Sequence, residues 1–125
     1  MKPETYERAR RWIAVVAWVY FVYMAYMLLH PKPPAPPPIR WIPSWIHFAA
    51  FALLGALAGL ARGRLSNWRL FALLVLWGIG SEFLQRYTGR YCEVRDMIQN
   101  VLGISTGLSL AILTRRILIS RGNDG

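Results

Sequence analysis

The chain has 125 residues, 55% of them hydrophobic, and a formal net charge of +9. A soluble domain of this size is rarely both so apolar and so basic. The basic residues also fall between long apolar runs, the pattern of membrane proteins. That placement argues against nucleic-acid binding, the other use of a strongly basic chain, because the apolar runs would need a core too large for it. The single cysteine, Cys92, has no partner for an internal disulfide.

Residues 1–11 are polar and hold Lys2, Arg8, Arg10 and Arg11. The uncharged run 12–29 follows, long enough to cross a hydrocarbon core of roughly 30 Å. Its sequel, LLHPKPP, offers no small-residue cleavage site, so the segment is expected to stay as an anchor. Tyr20, Tyr23 and Tyr26 recur every third residue and drift around the helix, as interfacial and packing aromatics do.

All but one of the eight prolines lie between Pro31 and Pro43. Proline removes a backbone donor and blocks the preceding turn, so residues 30–44 are expected to form an extended linker. Trp41 and Trp45 then suit interfacial anchoring of a second span, 45–61. Gly55 and Gly59, four apart, give that span a face for close helix contact. Arg62 and Arg64 close it, and Asn67 marks the turn into a third span, 68–85. A fourth span runs over 96–113, with Asp96 at its start, where the helix dipole favours a carboxylate. The expected fold is all-α, an integral membrane four-helix bundle forming a single domain.

With four spans, the N-terminus, the 62–67 loop and the C-terminus share one side. That side holds twice as many basic residues as the other, which carries Lys32, Arg40, Arg86, Arg90 and Arg95. The positive-inside rule then puts both termini in the cytoplasm of a cell-membrane protein. The polar residues His47, Glu82, Gln85, Arg90, Asp96 and Asn100 all fall near the external face, delivered by three helices to one depth. Glu82 and Gln85 share a helix face, as do Asp96, Asn100, Gly103 and Gly107. Charged groups at such a depth are rare and need a reason.

The run Glu82-x-x-Gln85, Gly89-Arg90, Asp96-x-x-x-Asn100-x-x-Gly103-x-x-x-Gly107, together with His47-Phe48, resembles the VanZ-like family of small bacterial membrane proteins. The resemblance covers roughly residues 45–113. It departs from the family's pattern in the loop, where no proline precedes Gly89 and the Gln85–Arg90 connection is short. The resemblance implies a role in the cell envelope, with a link to reduced susceptibility to lipoglycopeptides such as teicoplanin.

Three functional readings fit. In the first, His47, Glu82, Gln85, Arg86, Arg90, Asp96 and Asn100 bind an anionic or amphiphilic envelope ligand: a membrane lipid head group, a lipid-linked precursor or a lipoglycopeptide. Guanidinium forks suit phosphate and carboxylate. In the second, His47, Glu82 and Asp96 are catalytic, as an acid–base set or around a metal. That reading ranks lower, since the chain has no HExxH, nucleophile elbow or phosphate loop. Accordingly no cofactor and no metal are expected. In the third, the chain is an adaptor for a larger membrane protein. The bland alternative is that the cluster only satisfies itself, with Asn100 and Gln85 as interhelical glue and Asp96 as a cap.

Overall fold

The computed structural model describes residues 3–29, 44–63, 65–87 and 94–123, and the side chains of 4–27, 45–63, 65–84 and 94–120. Four helices account for nearly all of them: α1 (Pro3–Leu29), α2 (Ser44–Ala61), α3 (Asn67–Tyr87) and α4 (Val94–Asn123). The fold is all-helical, as expected. The proline-rich linker, Cys92, Gly89 and Arg90 lie outside the described residues, as do the side chains of Gln85 and Arg86.

Each helix start has a local reason. Pro3 opens α1, where its missing N–H would have no intrahelical partner anyway, and Glu4 sits in the first turn against the positive dipole end. The polar residues before 12 therefore belong to the same helix as the apolar run. Ser66 caps α3: its Oγ accepts from the Arg69 N–H at 3.2 Å, and its carbonyl accepts from the Leu70 N–H at 3.0 Å. Asp96 lies in the first turn of α4, the position its charge favours.

The most extensive pairing joins α2 to α4, with α1 packed on α2 and α3 on α4. α2 and α4 run parallel, in register through small residues. A β-carbon on Gly103 would overlap the carbonyl oxygen of Phe48, and one on Gly107 that of Ala52. From the other side, a β-carbon on Gly55 would stand 2.8 Å from the Ile104 carbonyl oxygen, and one on Gly59 2.6 Å from the Ala111 side chain. The Gly103–Gly107 face thus lies inside the bundle, in line with Asn100, and Gly55–Gly59 forms its counterpart.

Around this seam, Phe51, Leu54, Leu70, Leu74, Ile104 and Leu108 form the core, with Met24 reaching in from α1. α1 is tied down by the Tyr20 hydroxyl, which donates to the Ala50 carbonyl at 2.6 Å, and by Phe21 against Trp77, with ring centroids 5.0 Å apart. Tyr23 and Tyr26 face outward.

The outside of the bundle carries many large apolar side chains. Trp12, Trp18, Val22, Trp45, Leu76 and Leu110 are all more than half exposed. Among the described residues one helix, over Val94–Ser120, is long and apolar enough to cross a membrane, and Trp45–Ala61 is a shorter apolar helix.

Candidate functional site: a histidine between two carboxylates

Because α2 and α4 start at the end of the bundle where α3 finishes, three polar side chains meet there. His47 comes from the first turn of α2, Glu82 from the last turns of α3 and Asp96 from the first turn of α4. Nδ1 of His47 lies 3.6 Å from Oε1 of Glu82, and Nε2 lies 3.6 Å from Oδ2 of Asp96. One ring nitrogen faces each carboxylate. The site is nearly dry: the side chains are 1% exposed at Glu82, 13% at His47 and 17% at Asp96.

The layer beneath holds these residues in place. Asn100 is fully buried one turn along α4 from Asp96, and its Nδ2 donates to the Gly78 carbonyl at 2.9 Å. Gly78 lies one turn before Glu82 on α3. The absence of a side chain there lets Asn100 approach, since a β-carbon would stand 3.3 Å from that of Asn100 and 3.2 Å from Ile104 Cδ1. Ser81, also buried, donates to the same carbonyl at 3.2 Å. Its hydroxyl is thereby committed to the backbone of its own helix, which argues against the nucleophile its place beside Glu82 suggests.

The chemistry of the arrangement follows from donor counting. A neutral imidazole carries one N–H. It can offer that hydrogen to one carboxylate, and its other nitrogen then presents a lone pair to the second. A second proton on the ring, a proton on a carboxylate, a donor from outside the triad or a cation among the three groups resolves the conflict. The set is therefore suited to moving a proton, to polarising a bound polar group, or to holding a metal ion.

Of the sequence-derived set, the structure brings His47, Glu82 and Asp96 together, with Asn100 directly behind. Asp96 is both a first-turn residue and part of the cluster, so capping does not account for it fully. Arg95 is exposed beside the site. Gln85, Arg86 and Arg90 lie outside the described side chains.

A second polar cluster, at the opposite end, carries no motif. The guanidinium of Arg10 donates to the Ala61 carbonyl at 3.5 Å, and that of Arg115 to the Tyr6 hydroxyl at 3.3 Å. Arg62 joins them, its pKa pushed down first by burial and then by the charge of Arg115. Only the basic ends of the apolar runs signalled that these residues would lie together.

A scan against family models finds no match, and comparisons with curated proteins and with solved structures find none either.

Proposed function

We propose that the protein is a multi-pass membrane protein of the cell envelope with both termini in the cytoplasm. Its His47–Glu82–Asp96 site engages the polar group of an envelope amphiphile: a lipid head group, a lipid-linked precursor or a lipoglycopeptide. One observation carries the reading. A buried, charge-capable triad sits at one end of a bundle whose outer surface is covered with large apolar side chains. In water such a surface would be an aggregation liability, whereas in a bilayer it is the ordinary exterior. The asymmetric distribution of basic residues and the resemblance to the VanZ-like family agree with it.

The arginines of the 86–95 loop supply the anion-binding half of this reading, and the triad supplies acceptors for the donor groups of the same ligand. The adaptor alternative loses part of its basis, because all four glycines of the two small-residue faces are spent on contact between α2 and α4. A second reading, an enzyme acting on an envelope lipid, is favoured by the carboxylates on both ring nitrogens, a setting for acid–base work.

Two experiments test the proposal. Reporter fusions after Arg64 and after Gly89 should report cytoplasm and exterior respectively; a cytoplasmic Gly89 removes the external site. Native mass spectrometry of the purified chain should retain an envelope lipid that Glu82→Gln and Arg90→Lys both release at matched abundance. Chemical conversion of that lipid by the wild type, but not by His47→Ala, selects the enzyme. Retention unchanged in both binding variants reduces the cluster to structural glue.

A further inference from the structure

We propose that His47, Glu82 and Asp96 form a site for a divalent first-row transition metal of the zinc class, one ion per chain. The inference deepens the reading above and rests on it in taking this end of the bundle as the working site. One nitrogen and one oxygen from each acid lie within 4.8 Å of one another, contributed by three different helices. The ring-to-carboxylate separations of 3.6 Å exceed the roughly 2.7–2.9 Å of a charge-assisted hydrogen bond. One ion takes only one ring nitrogen, so one of these separations serves as a ligand-to-ligand distance, and it approaches the ~3.3 Å between two ligands held at 2.0–2.1 Å on a tetrahedral ion. The other carboxylate lies within the 4.8 Å that spans the three ligand atoms.

Charge and ligand type point the same way. Two carboxylates bring negative charge to a divalent ion in a site this poor in water. The ion would also take the lone pair that neutral His47 otherwise presents to a carboxylate. Imidazole with two carboxylates fits zinc and its first-row neighbours better than magnesium or calcium, which favour all-oxygen shells. Three protein ligands leave a position open, the mark of a working site rather than a closed structural one. A second observation lies just beneath. Oδ1 of Asn100 is buried and has no hydrogen-bond partner among the described residues, although Nδ2 of the same amide is fixed by Gly78. It leaves an acceptor available one turn from Asp96, for a water or ligand group held at the open position.

The test uses the full chain purified in detergent and stripped of metal with a chelator. Cobalt(II) then serves as the probe, through its visible d–d absorption, and zinc loading is read by elemental mass spectrometry after desalting. The expected result is about one ion per chain and a cobalt spectrum of low coordination number. His47→Ala, Glu82→Gln and Asp96→Asn should each weaken cobalt binding by more than about 10–100-fold, beyond the range seen for supporting residues. Helicity and elution volume confirm that the variants fold. Glu82→Asp keeps the ligand type and should alter the spectrum without abolishing it, which covers the case in which Glu82→Gln fails to fold.

A folded wild type that takes up no stoichiometric cobalt overturns the proposal, as does uptake that survives all three substitutions. Lipid retention is measured on the stripped and loaded forms in parallel. Lipid bound without metal uptake removes the ion and leaves the envelope-ligand reading. Metal uptake without lipid does the reverse.

Discussion

Gly107 of α4 and Ala52 of α2 approach so closely that a single added β-carbon would overlap the Ala52 carbonyl oxygen. The obstacle is backbone, which cannot swing aside as a long side chain can. Gly107→Ala should therefore destabilise the bundle by at least about 1–3 kcal/mol, and Gly107→Leu should part the two helices. Gly80 is the control: apart from its chain neighbours and its own helix backbone, nothing lies within 4 Å of where its β-carbon would be. Gly80→Ala should be neutral or gain about 0.5–1 kcal/mol from backbone entropy. Thermal unfolding in one detergent, followed by circular dichroism, separates the two.

Asn100 links α4 to α3 through the Gly78 carbonyl. Asn100→Ala should lose about 1–3 kcal/mol, since the bond is fully buried. Asn100→Asp should do worse, because a carboxylate would face that carbonyl with no hydrogen to offer. If the aspartate variant unfolds at the wild-type temperature, the bond as described is wrong.

The Tyr20 hydroxyl is one polar tie between α1 and α2, and the Arg10 guanidinium on the Ala61 carbonyl is another. Tyr20→Phe keeps the ring and removes the bond, so the loss should be modest, about 0.5–1.5 kcal/mol. Cysteine crosslinking between α1 and α2 should fall in this variant while crosslinking between α2 and α4 stays constant.

Near the start of α1, Glu7 accepts from Arg10 Nη2 at 2.9 Å and from Nε at 3.3 Å. These bonds hold its carboxyl below the ordinary carboxylate range. Because the folded pKa is depressed, the pair supports the helix start above the ordinary carboxylate pKa. That support disappears as pH falls through the lowered value. The carboxyl carbon of Glu7, followed by NMR, should titrate below a free glutamate in the wild type and return to the ordinary range in Arg10→Gln.

The glycine seam was legible in the sequence because a spacing of four residues already defines a helix stripe, and small residues at that spacing serve one purpose. The three-residue site was legible as a depth: His47, Glu82 and Asp96 fall at one end once the apolar runs are counted. Their contact was not, because it depends on how far each helix rotates about its own axis, which packing alone decides. The reach of α1 back to Pro3 was hidden for a different reason. Hydropathy marks only the apolar part of a helix, while Glu4, Glu7 and Arg10 continue the same helix with polar side chains. Asn67 marked the turn into α3, but the cap itself, Ser66, was not legible, because the choice among neighbouring capping residues is made by hydroxyl geometry and not by residue preference.

The closest seam in the molecule joins the second helix to the fourth, not to either of its neighbours in the chain. During synthesis the second helix therefore waits, its glycine face uncovered, until the third has been made and the fourth has followed. The triad takes its last member from that same fourth helix, so a nascent or truncated chain ending before α4 has neither the seam nor the site. Quality control that recognises uncovered small-residue faces would find a substrate in every such fragment, and assembly and competence would arrive in a single late step.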